Sequence, residues 1–93
     1  MKFLLVDPTQ QPTGLAVTLA ARPSALRGLR LGLVENTKAN AAALLEEVEA
    51  FVRDALEPSA VRRYSVPATL PASDEVLDRI AAECDLVIQA VGD

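Results

Sequence analysis

The chain has 93 residues, nine Lys and Arg against thirteen Asp and Glu, a formal net charge of −4 and no His. A pI near 4.7 opposes a polyanionic partner, and an aromatic content of 3% leaves few platforms for stacking bases, so nucleic acid is not an expected ligand. Without His, a triad using imidazole as base is excluded within the chain, and a metal would depend on carboxylates and the single thiol, Cys84.

Apolar residues make up 51% of the chain. They come from Leu, Val, Ile and Ala, enough for one small core that can fold alone by a narrow margin. No apolar run approaches the roughly 20 residues of a transmembrane helix, and the apolar stretch before Asp7-Pro8 is too short for a secretory signal core. One Cys forms no internal disulfide, which agrees with a reducing compartment. A cytoplasmic location is the expectation.

Residues 1–28 read as an arm lying over the domain or over a partner. Phe3 to Val6 offers a further strand there, followed by an irregular stretch with two Pro and a Gly. From residue 29 the pattern alternates between two kinds of segment, and residues 29–93 read as a βαβαβ half-domain. Leu31 to Val34 is an apolar run without polar alternation, as in a strand covered on both faces. Asn40 stands where its side chain can cap the following helix. That helix places Leu44, Leu45, Val48, Phe51, Val52, Ala55 and Leu56 on one face, with acidic residues opposite, and Pro58 stops it.

Ala60 to Val66 alternates as a second strand, nearer an edge because half of it is polar. On it, Arg62 and Arg63 point to opposite faces. Pro67 and Pro71 mark a loop. Ser73 is a cap for a second helix, Asp74 and Glu75 suit its dipole, and Val76, Leu77, Ile80, Ala81 and Cys84 share a face. Leu86 to Ile88 is the third strand. Connections of this length imply right-handed crossovers between parallel strands, with the first strand in the middle. The fold class is α/β: an open three-layer sheet of Rossmann-like or flavodoxin-like kind, mostly parallel. Its fully apolar last strand wants neighbours and cover, so a partner chain completing the sheet is expected.

In such a sheet, ligands bind beyond the carboxyl ends of the strands. Two segments arrive there. Asn36, Thr37 and Lys38 follow the first strand, offering donors, acceptors and a cation beside a helix N-terminus, and Gly92 and Asp93 follow the third. These five residues are the candidate binding edge for a carboxylate or phosphate. The alternative is a solvated loop, since no glycine-rich phosphate loop accompanies Lys38. Cys84 reads as a small hydrophobe on the second helix and not as a nucleophile. Asp93, with a side-chain and a terminal carboxylate, either holds a cation or proton or is a frayed tail.

"DPT" at residues 7–9, "LRGLRLGLVENTKANAAALLEEV" and "LDRIAAECDLVIQAVGD" in this order resemble the N-terminal half of the UGSC family, named for a selenocysteine-Gly-Ser-Cys motif. In that family a Val-Gly-Asp like that of residues 91–93 is followed by Cys or selenocysteine and then Gly-Ser-Cys. The resemblance spans nearly the whole chain and implies that this chain halts just before the motif. A split gene, self-cleavage before a Cys, and a selenocysteine codon read as stop would each give that ending. The family in turn resembles components of the glycine and proline reductase systems.

The resemblance implies a subunit of a heteromeric thiol- or selenol-dependent enzyme, either reductase-like or cleaving a carbon–heteroatom bond. Asn36, Thr37, Lys38, Gly92 and Asp93 would hold a small polar or anionic substrate. A partner subunit with the Cys/selenocysteine-Gly-Ser-Cys motif would supply the nucleophile, next to Asp93. No catalytic residue, metal or other cofactor is expected in this chain itself. A non-catalytic α/β binding or assembly module remains the alternative.

Overall fold

A computed structural model describes residues 4–9 and 17–92. Strand β1 (Arg30–Glu35), helix α1 (Ala41–Leu56), strand β2 (Ala60–Ser65), helix α2 (Asp74–Glu83) and strand β3 (Leu86–Ala90) follow one another along the chain. The strands form one open, all-parallel sheet in the order β2-β1-β3. The most buried strand thus lies in the centre, with a neighbour on each edge. In register, Leu31 faces Val61 and Leu86, and Val34 faces Tyr64 and Gln89.

Strand periodicity divides β1 between two cores. Leu31 and Leu33 point to the α1 side, where they pack with Ala41, Leu45, Val52 and Ala90. Each of these two leucines is 1% exposed, and burying each stabilises the fold by about 1.5–3 kcal/mol. Val34 points to the α2 side and packs with Tyr64, Val66 and Ile80. Gly32 lies on that side too, where a Cβ would stand 2.8 Å from the Cys84 Sγ; the missing side chain is what lets the end of α2 approach the sheet. The α/β class and the three-layer order are therefore as the pattern predicts.

Ion pairs follow the same alternation. Arg62 reaches Glu83 on α2, while Arg63 reaches Glu49 and Glu46 on α1. At the amino ends of the strands, the Arg30 guanidinium donates to both carboxylate oxygens of Asp85, and Asp85 also accepts from the Arg30 backbone N–H. These bonds hold Asp85 well below the usual carboxylate range, at about 2. β1 and β3 are pinned together there.

The helix ends differ in part from expectation. Ser73 caps α2, its hydroxyl accepting from the Val76 N–H. Asn40 makes no side-chain cap to α1; it is left-handed at φ 66°, a conformation Asn tolerates better than most residues. The Ala41 N–H instead donates to the Lys38 carbonyl, so α1 starts from a turn. At its other end α1 closes through left-handed Glu57, whose N–H donates to Arg53 O, one residue before Pro58. The apolar face of α1 is also narrower than its spacing predicts. Leu45 and Val52 are buried, whereas Phe51 is 73% and Leu44 48% exposed, because one flank of the stripe lies outside what three strands can cover. Ala55 on α1, and Leu77 and Ala81 on α2, are exposed for the same reason.

Residues 4–9 and 17–23 carry no helix or strand, and Leu4, Leu5 and Val6 are exposed. Asp7 and Thr9 make a local turn, with the Thr9 N–H and hydroxyl both donating to Asp7 Oδ1. Among the described residues, no helix is long and apolar enough to cross a membrane.

Candidate functional site at the carboxyl ends of the strands

The tip of β1 is held from both sides. The Asn36 N–H donates to the Ala90 carbonyl at 3.0 Å, and the Val66 N–H donates to the Glu35 carbonyl at 2.9 Å, so pairing continues one step past the strand. The Asn36 side chain then extends the ladder. Its Nδ2 donates to the Val91 carbonyl, and its Oδ1 accepts from the Val91 N–H at 3.1 Å. A carboxamide matches a peptide unit because it carries one acceptor and one donor side by side. Asn36 is the one buried polar residue among those described, and both of its functional atoms are satisfied, as burial requires. Gly92 is thereby held beside β1.

Beyond Asn36 the chain turns sharply. Thr37 is left-handed at φ 60°; its N–H donates to Glu35 Oε2 at 2.7 Å and its hydroxyl to the Asn36 carbonyl at 2.6 Å. The other Glu35 oxygen accepts from the Ser65 hydroxyl. Glu35 is thus a strut between the β2 tip and this turn. Thr37 is exposed and Lys38 half-buried.

A cavity of about 610 Å³ opens on the α2 side at this end of the sheet. Its walls are Val34, Val66, Leu70, Ile80 and Val87, with Asn36 and Gly92 at the rim beside the strand tips. Its volume falls within the roughly 300–1,000 Å³ typical of small-molecule sites. The cavity exists because α2 lies over β1 and β2 and leaves the same side of β3 uncovered. Val87 is 43% exposed there, and Gln89 is exposed beside it.

Of the five residues singled out from the sequence, the structure places Asn36 and Gly92 on the cavity. Thr37 and Lys38 lie on the adjoining turn and do not line it. Asp93 lies outside the described residues. Sequence reasoning missed Gln89 and the loop 66–72. The proline pair at 67 and 71 was the available signal for a structured wall, and the pairing of Gln89 with Val34 in the register places it on the open side.

Away from the cavity, Tyr64 and Cys84 meet between β2 and the end of α2, with 3.3 Å between Oη and Sγ. That bond, with burial second, pushes the Tyr64 hydroxyl up to about 12. Arg79 stacks over the Tyr64 ring at 5.6 Å. Cys84 is half-buried against this cluster, in keeping with a packing role. Among the described residues, no three Cys, Asp or Glu side chains cluster as metal ligands.

The UGSC family model matches residues 4–93, nearly the entire chain. The chain belongs to the UGSC family. No curated protein and no solved structure matches it. Within this UGSC chain, the Asn36–Val91 pairing joins two of the segments that carry the resemblance, residues 26–48 and 77–93. The third such segment, residues 7–9, is exposed and forms its own local turn.

Proposed function

We propose that this chain is the substrate-side subunit of a heteromeric thiol- or selenol-dependent enzyme, reductase-like or cleaving a carbon–heteroatom bond. A partner carrying a Cys/selenocysteine-Gly-Ser-Cys motif supplies the nucleophile and extends the sheet along the free edge of β3. The observation that carries this reading is the bidentate grip of Asn36 on Val91, which holds Gly92 at the rim of the 610 Å³ cavity. A thiolate or selenolate presented next to Asp93, just beyond Gly92, would face the cavity mouth. Thr37 and Lys38 lie on the adjoining turn, where they would meet the polar or anionic end of a small substrate. Family membership favours a nucleophile of this kind. The lone Cys84 suits a reducing, cytoplasmic setting.

The test begins with the N-terminally tagged chain isolated under mild conditions from its native host. A near-stoichiometric second polypeptide bearing the motif is expected, and turnover by that assembly should respond to Lys38→Ala through a raised KM with partner binding unchanged. An unchanged saturation curve removes Lys38 from the site. A chain that is recovered folded and alone defeats the enzyme reading. It favours instead a non-catalytic assembly module, a reading supported by the exposed Leu4, Leu5 and Val6 of the arm.

A further inference from the structure

None of the described residues that line the cavity carries a charge. Lys38 and Glu35, near the tip of β1, lie outside it. The Asn36 carboxamide already bonds Val91 through both of its polar atoms, which leaves it one N–H and one oxygen lone pair. Gln89 is the other side-chain amide on the wall, and it stands exposed at the open flank next to Val87. Opposite, Leu70 projects from the proline-bearing loop, 67% exposed.

From this lining we infer that the cavity binds the uncharged aliphatic body of a small molecule, with Gln89 as a neutral hydrogen-bonding contact and any charged head left at the rim. The inference rests on reading this cavity as the substrate site, and it narrows the substrate to one with an apolar, uncharged body. A phosphate or carboxylate inside the cavity would lose its hydration and gain no cation. An aliphatic body would instead gain from each carbon removed from water. At about 0.8 kcal/mol per methylene, affinity should rise about fourfold per added carbon until the cavity is filled.

The test is a titration followed through backbone NMR shifts, on the chain alone and on the chain with its co-purified partner. The probes are acetamide, propanamide, butanamide and 4-methylpentanamide, with succinamate as a body of butanamide's length carrying a charged tip. Saturable shifts are expected at Val34, Leu70, Ile80 and Gln89, tightening along the series, with succinamate at least tenfold weaker than butanamide. Leu70→Glu, on an exposed loop position that does not threaten folding, should weaken 4-methylpentanamide about tenfold. The inference is overturned by an absence of saturable shifts in both preparations, by a flat series, or by succinamate binding as well as butanamide. The two readings fail separately. Carboxamide binding by a chain that is recovered alone and without turnover rejects the enzyme and keeps the apolar cavity, whereas turnover by the assembly without carboxamide binding does the reverse.

Discussion

Replacing Asn36 by Ala tests whether the strand tips are held by one side chain. The substitution removes two hydrogen bonds and leaves the Val91 N–H and carbonyl without their partner at a half-buried position. At about 0.5–1.5 kcal/mol each, with more where the abandoned group stays dry, the loss is about 1–3 kcal/mol. In a domain of this size 1 kcal/mol lowers the Tm by about 4–8 °C, so a fall of about 4–24 °C is expected, read by thermal and urea melts. The Val91 amide should exchange with deuterium faster by more than the global loss of stability accounts for, because the tip opens locally. Asn36→Asp separates geometry from size. One oxygen still accepts from the Val91 N–H, but the other now confronts the Val91 carbonyl where a donor stood. Ionisation is thereby disfavoured in the fold, and the new carboxyl titrates above its unfolded value near 3.9. Its stability relative to wild type is therefore best below about pH 4 and declines as pH rises through the folded value. An Asn36→Ala chain with an unchanged Tm and a still-protected Val91 amide would refute the clamp, and with it the alignment of Gly92 on the cavity.

Three further outcomes follow from the packing. Gly32→Ala forces a Cβ to within 2.8 Å of the Cys84 Sγ and should cost about 1–3 kcal/mol in urea melts through overpacking; Cys84→Ala in the same chain should recover most of it, and an unaltered single variant defeats the close approach. Asp85, held at about 2 by the Arg30 bonds against an ordinary value of 3.8, contributes stability that is present above pH 3.8 and is lost as pH falls toward 2. Asp85→Asn should therefore flatten the acid limb of a pH–stability profile, and an unaltered limb assigns acid unfolding elsewhere. Tyr64, raised from 10.0 to about 12, favours the fold below pH 10 and loses that contribution as pH climbs to 12; absorbance titration near 295 nm should show late ionisation that moves earlier in Cys84→Ala, and a midpoint indifferent to Cys84 refutes the pair.

The layers were legible because the signals that specify them are local and periodic. Leu31 to Val34 announces a strand with two covered faces, the opposite-facing Arg62 and Arg63 announce β2, and Ser73 with Asp74 and Glu75 announces the start of α2. Asn40 misled because a residue that caps helices with its side chain is also one that tolerates φ 66° with its backbone, and the turn already closed by Lys38 and Ala41 decided between these uses. Phe51 and Leu44 misled because spacing reports which residues share a face, not how much sheet lies beneath it. The cavity was hidden for a further reason. Its walls come from the tip of β1, the loop 66–72, α2 and β3, and only the offset of α2 toward β2 brings out the gap.

That offset explains why the site forms where it does. α1 spans β1 and β3 on one face, so the side of β3 carrying Leu86, Ile88 and Ala90 is packed. α2 spans β1 and β2 on the other, so Val87 and Gln89 face outward beside an edge of β3 that has no neighbouring strand among the described residues. One strand is thus finished on one side and open on the other, and its tip is the segment that Asn36 holds. The Arg30–Asp85 pin fixes the opposite end of β3. Both ends of β3, which borders the cavity, are thus tied to β1. Covering Val87 would stabilise the chain by apolar burial and would close the flank of the cavity in the same step. A partner docking along β3, as proposed above, would both complete the sheet and enclose a ligand in the cavity. Such docking would couple assembly to binding: a molecule held in the cavity would strengthen association of the two chains by the same factor that association strengthens its own binding.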